Sequence, residues 1–190
     1  MIRLGAAPQH GFDEPLGLMS DCHRRIERFL DTMIRVADSS ADGVLPPAAR
    51  SGLETALRYF REAAPRHTAD EEDSLFPRML AASDPRARSA AETIARLHAQ
   101  HAAADALHDA ANTLAQRWLD DGGLPLTDLA NLRKYLHQLR AIYEEHIAVE
   151  DHNLFPLAAS MLDRDALVQV GREMAQRRGL DPSLAEQPQP

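Results

Sequence analysis

Apolar positions recur at three- and four-residue steps along almost the whole chain, and no alternating pattern of the strand type competes with them. Leu16, Met19, His23, Ile26, Leu30, Met33 and Ala37 form the first stripe, with Asp13 placed to cap it and Pro15 in its first turn. Ser39 to Gly43 ends it. A second stripe starts near Pro46-Pro47 and runs Leu53, Leu57, Phe60, Ala64, His67, Glu71, Leu75, Met79; Pro65 and Pro77 should kink or interrupt it. After Ser83-Asp84-Pro85 a third carries Ile94, Leu97, His101, Ala104, His108, Ala111, Ala115 and Leu119, stopped by Asp120-Asp121-Gly122-Gly123. Thr127 is positioned to cap a fourth, with Leu129, Leu132, Leu136, Leu139, Tyr143, His146, Glu150, Leu154, Leu157 and Met161. Asp163 starts a short fifth helix that runs to about Arg178 and closes at Gly179. The expected fold is all-α, an up-down-up-down antiparallel four-helix bundle with a short C-terminal fifth helix. Residues 1–12 read as an irregular arm, 13–179 as the bundle domain and 180–190 as a flexible tail.

Within this order the chain repeats itself. His67-Thr68-Ala69-Asp70-Glu71 and His146-Ile147-Ala148-Val149-Glu150 each space a His and a Glu four apart, and Leu-Phe-Pro begins four residues after each Glu. On a helix, residues four apart share a face with about 5–6 Å between Cβ atoms, so each copy offers an imidazole and a carboxylate to one place. The step from His23 to His101 matches the step from His67 to His146 to within a single position. Each half is thus a helix with one inward His followed by a helix with His-x-x-x-Glu.

Side chains on antiparallel neighbours lie level when they are equally far from the connecting turn. His67 precedes Ala82 by nearly the same interval as His101 follows Pro85, and His101 stands as far before Asp120 as His146 stands after Thr127. The first pair fits less well, since the interval from Pro47 to His67 exceeds that from His23 to Asp38 by more than a helical turn. A late start near Gly52, or Pro65, would absorb the excess. A single His on an apolar stripe is best read as a core histidine. Two carboxylates and four imidazoles buried together are not, because uncompensated buried charge costs several kcal/mol per group. A pair of metal ions held by His23, His67, Glu71, His101, His146 and Glu150 would compensate it.

Composition narrows the class. The 190 residues carry a formal charge of −8, which argues against nucleic acid and anionic membranes as partners. No apolar run approaches a bilayer span, the first residues lack a signal core, and one cysteine, Cys22, excludes an internal disulfide; the expected location is cytoplasmic.

One inward His, then His-x-x-x-Glu, then one inward His, then His-x-x-x-Glu with Leu-Phe-Pro resembles the hemerythrin-like (HHE cation-binding) family, in its bacterial four-His, two-Glu form, over roughly residues 13–162. The resemblance implies a carboxylate-bridged di-iron centre: Glu71 and Glu150 between the ions, His23 and His67 on one, His101 and His146 on the other. Manganese or zinc would also suit the donors. It further implies binding or sensing of O2, NO or peroxide at an open position, or alternatively a di-iron enzyme with peroxidase-like or NO-reducing activity in stress defence. Oxygen-carrying members have a His-x-x-x-His on the third helix. Here Leu97 and Asp105 flank His101 at that spacing and His98 is a weaker substitute, so a sensing or reactive role is expected over transport. The Glu-x-x-His signature of ferritin-like di-iron proteins is absent, Asp105-Ala106-Leu107-His108 being the nearest approach.

Other groups are expected to be ordinary. Cys22 reads as packing, His108 as a rim or core His, Tyr143 and Trp118 as core, and His10, His137 and His152 as surface. Asp70, Glu72, Glu144, Glu145 and Asp151 read mostly as solvated face, with one or two available to hydrogen-bond ligand imidazoles.

Overall fold

The computed structural model describes residues 9–186, so the expectations for residues 1–8 and 187–190 lie outside the described residues. The helices are α1 (Pro15–Ser39), α2 (Arg50–Glu62), α3 (Ala64–Ala69), α4 (Phe76–Ala81), α5 (Ala87–Asp121), α6 (Leu126–Val149), α7 (Phe155–Met161) and α8 (Arg164–Arg177). Among the described residues there is no strand, only one isolated antiparallel bridge between Val44 and Gly123. α1 packs on α2 and α6, and α5 packs on the same two, which closes a four-sided helical bundle. No described helix is long and apolar enough to cross a membrane.

The second leg is α2, α3 and α4 joined end to end, and the fourth is α6 followed by α7. Each is interrupted by a π-helical turn, Asp70–Leu75 in one and Glu150–Leu154 in the other. The Phe76 amide donates to the Glu71 carbonyl five residues back, and the Phe155 amide donates to that of Glu150. Proline explains the position. Pro77 and Pro156 have no amide proton, and in an α-helix their rings would collide with the carbonyls of Asp73 and His152. A widened turn relieves that collision. Pro65 has a milder effect, a break at Ala63 between α2 and α3.

Several expected boundaries move. Glu14, not Asp13, is the N-cap of α1 and makes no side-chain cap bond; Pro15 occupies the first turn as expected. α6 begins at Leu126 behind Pro125, so Thr127 does not cap it. The second leg enters through a short 3-10 turn, Pro47–Ala49, and its α-helix starts at Arg50, which removes part of the excess in register. Asp163 does cap α8, accepting from the Ala166 amide. The stretch expected as a tail instead forms a 3-10 turn over Pro182–Glu186, with Ala185 buried. The end of the arm is also held: Asp21 accepts from the amides of Gln9 and His10, and the Phe12 carbonyl lies where a Cβ on Gly171 would stand, 1.9 Å away. Only glycine fits there.

The core has two apolar clusters. One is built on Phe29, Leu57, Trp118, Leu132 and Leu136, with Trp118 Nε1 donating to the Gly43 carbonyl. The other is built on Met19, Leu75, Phe76, Leu97 and Phe155. His23, His67, His101 and His146 fall in sequence between residues of the two clusters, so a polar layer separates them.

α8 is tied to that layer by charge. Asp70, expected on a solvated face, is fully buried. Its carboxylate accepts from Arg177 at 2.7 Å and from Arg178 at 2.6 Å, which compensates its burial. Removing one partner of a buried ion pair costs about 3–5 kcal/mol. Asp70→Ala should therefore lower the melting temperature by roughly 10 °C, read by circular dichroism. An unchanged melt would show that the clamp contributes nothing.

Candidate metal centre

Side-chain geometry brings together all six residues singled out from the sequence. His67 Nε2 lies 3.1 Å from Glu71 Oε1 and His101 Nε2 lies 3.4 Å from Glu71 Oε2, so one carboxylate spans both halves. Glu150 Oε2 is 3.1 Å from His23 Nε2 and 3.0 Å from His146 Nε2. Two overlapping groups result, His23, His67, Glu71 and Glu150, and Glu71, His101, His146 and Glu150, each with ligand atoms within 4.8 Å of one another. All six residues are buried, both glutamates completely.

The opposite ring nitrogens fix what those Nε2 atoms can be. Glu72 Oε1 lies 2.7 Å from His101 Nδ1, and Asp151 Oδ1 lies 2.8 Å from His23 Nδ1. An ionised carboxylate only accepts, so both imidazoles donate from Nδ1, and in the neutral ring Nε2 is left with the lone pair. Gln100 Oε1 faces His146 Nδ1 at 3.1 Å and does the same. With both rings neutral, His101 Nε2 and His146 Nε2 point lone pairs at each other across 3.1 Å. That arrangement is repulsive unless a proton or a metal cation stands between them. The glutamate oxygens, four in all, and His23 Nε2 are buried without a partner in hydrogen-bonding geometry. Native interiors rarely leave such groups unsatisfied. Nitrogen and oxygen donors of this kind fit a divalent metal ion of the iron, manganese or zinc type.

Electrostatics agree. Burial opposes ionisation of Glu71, but His67, His101 and His23 outweigh it and hold its carboxyl well below the usual range. Burial likewise opposes charge on His23, while Asp151, Glu150 and Glu71 raise its pKa well above the ordinary value. For His101, burial is outweighed by Glu71 and Glu72, and the pKa rises to about 9.

Glu72 and Asp151 turn out to be the two of the five acidic residues that serve the imidazoles. They are adjacent to Glu71 and Glu150 in the two π-helical turns, and each consecutive pair reaches opposite nitrogens of one imidazole, His101 for Glu71 and Glu72 and His23 for Glu150 and Asp151. Glu144 and Glu145 are exposed as expected. Gln100 drew no attention in the sequence, although its place just before His101 could have suggested it. His98 stands half exposed, 3.9 Å from Glu72, outside both groups. His108 and Tyr143 bond each other at 2.9 Å rather than joining the cluster, and burial lowers His108 to about 4, so it is neutral. With Phe60, Thr68, Asp105 and Asn112 they line a cavity of about 450 Å³ one turn from His101 and His146. Trp118 is core, His137 and His152 are exposed, and His10 is partly buried against Asp21.

The fold and the two overlapping clusters define the class, a helical bundle with a buried His/Glu site suited to two cations. The Hemerythrin HHE cation binding domain matches residues 14–158, and the chain belongs to that family. The chain is also similar to an uncharacterized protein of Haemophilus influenzae, 28% identical over 169 residues, which cover 88% of this chain and 91% of the relative.

The raised pKa of His101 has a definite sign in the metal-free protein. Its folded value of about 9 exceeds the unfolded value of about 6.5. The stability it contributes is therefore complete below pH about 6.5 and is lost as pH rises through about 9. The difference in melting temperature between metal-free wild type and His101→Gln should shrink between about pH 6 and about pH 9.5. A constant difference would show that His101 is not held charged.

Proposed function

We propose that the protein holds two iron ions, with Glu71 and Glu150 shared between them, His23 and His67 on one and His101 and His146 on the other, and that it binds or senses O2, NO or peroxide there. The observation that carries this reading is the pair of overlapping His/Glu clusters with both carboxylates common to each. Two imidazoles and two carboxylates give each ion four protein donors, and iron would supply redox chemistry and vacant coordination positions to a small ligand. The chain's own residues do the rest. Glu72, Asp151 and Gln100 fix the imidazole tautomers from Nδ1, and burial excludes bulk water from the glutamates. The approach of a small ligand is assigned to the side of the cavity beside Thr68 and Asp105, which is lined by Tyr143 and His108.

Protein expressed with iron and purified in air should carry about two iron atoms per chain and absorb in the near ultraviolet and visible through ligand-to-metal charge transfer. A colourless protein containing only zinc would end the iron reading.

The cavity also favours a second reading, a di-iron enzyme acting on peroxide or NO in stress defence. It is far larger than a diatomic requires, and Tyr143, which burial keeps protonated, is bonded to neutral His108 on its wall. Steady-state consumption of peroxide or NO that disappears in Glu150→Ala would establish turnover; a single stoichiometric reaction would leave a binder or sensor.

A further inference from the structure

Three of the four converging imidazoles have an oxygen acceptor at the ring nitrogen that faces away from the cluster: Asp151 for His23, Glu72 for His101 and Gln100 for His146. His67 is the exception. Its ring is 4% exposed, yet Nδ1 has no partner in hydrogen-bonding geometry. The internal repeat indicates which residue belongs there. Glu72 and Asp151 are equivalent in that repeat, each following a shared glutamate and each serving the lone histidine of the other half. Gln100 immediately precedes His101 and serves the histidine of the fourth leg. The residue in the same place before His23 is Cys22. Its side chain is buried at 5% exposure and is a direct neighbour of the His67 ring. Neither cluster of candidate ligands includes it.

We propose that Cys22 is a positioning residue: its sulfur accepts from His67 Nδ1 when Nε2 of that ring holds a cation, and so makes the two cation positions unequal. An imidazole that binds a metal through one nitrogen orients itself by donating from the other, and the acceptor tunes its basicity. Sulfur is a weaker acceptor than an amide or carboxylate oxygen. The ion held by His23 and His67 is then backed by one carboxylate and one thiol, and the ion held by His101 and His146 by one carboxylate and one amide. Since Glu72 and Asp151 keep the repeat in chemical kind, the Cys22 and Gln100 pair is where the groups behind the imidazoles depart from it. The ion at His23 and His67 is the more weakly held.

The inference rests on the two-ion reading, and the test separates the two. Metal-free protein is loaded anaerobically with Fe(II) and mixed with excess Fe(II) chelator while release is followed. Wild type should release its iron in two phases. Cys22→Ala should speed the faster phase by about tenfold or more, the usual scale for removing such a partner, and leave the slower within about twofold. Gln100→Ala should speed the slower phase instead, and Cys22→Ser, with a hydroxyl acceptor, should restore the faster phase. Independently of any variant, the Mössbauer spectrum of the Fe-57 wild-type protein should resolve two doublets of equal area, and the Co(II) form should lack sulfur-to-metal charge transfer. Cys22→Ala releasing iron like wild type, both variants affecting one phase, a single doublet, or a sulfur charge-transfer band would each overturn the assignment of Cys22. Uptake of fewer than two ions per chain would overturn the two-ion reading, and this proposal with it.

Discussion

Two fully buried carboxylates and four imidazoles whose Nε2 atoms converge on them set the terms on which this bundle folds. Ionised Glu71 and Glu150 cannot be left unpaired in an interior of low dielectric, because the penalty is several kcal/mol per group and the whole stability of a domain is only about 5–15 kcal/mol. Protons on the histidines can supply part of the compensation, which is why His23 and His101 have raised pKa values. They cannot supply all of it in a tidy way: His101 and His146 point Nε2 at Nε2, and a proton placed there still leaves four glutamate oxygens without hydrogen-bond partners. Cations shared by both carboxylates answer every one of these deficits together. The polar layer also divides the core, with the Trp118 cluster on one side and the Phe76 and Phe155 cluster on the other. Those apolar clusters support the helices from both ends and hold six ligand-type side chains at one level.

The π-helical turns connect that constraint to the backbone. Each begins at or just before a shared glutamate and ends before Phe-Pro, so the proline that forbids an ordinary α-turn also sets where the carboxylates sit. The wider turn has a second consequence. Glu71 and Glu72 are neighbours in sequence but serve different purposes, one within the cluster and one at the back of His101, and Glu150 and Asp151 divide their work in the same way. A local steric rule about proline thereby provides both the shared carboxylate and the acceptor that orients the next imidazole.

How much of this was legible in the sequence depended on whether the signal was periodic. The helical stripes, the bundle and the meeting of six residues follow from three- and four-residue steps and from distances to the turns, and the structure brings those six together. The caps were harder, since Glu14 and Pro125 begin their helices without any side-chain bond to mark them. Asp70 was misread because local polarity cannot reveal that Arg177 and Arg178, far along the chain, will cover it. Ala185 was missed for a related reason: its burial depends on α8 and on Gly171, not on any pattern around it. The π-helical turns did have a signal, the twin Leu-Phe-Pro, but its geometric meaning appears only when the carbonyl four residues before each proline is considered.

The repeat carries one step further. A perfect two-fold site would offer a small ligand two identical ions, and nothing would direct it to one or the other. This chain keeps the two-fold in its ligands and in its paired acidic partners, and departs from it around them. The cavity lies beside Thr68, Asp105 and Tyr143, on one side of the layer only. The Asp70 clamp ties α8 to the first π-helical turn, and the equivalent position at the second, Val149, carries no charge to make such a clamp. Asymmetry in access, in support and in the groups behind His67 and His146 therefore coexists with symmetry at the glutamates. In a site built this way, the shared carboxylates fix how two cations sit together, and their surroundings determine which of them is the more open to exchange.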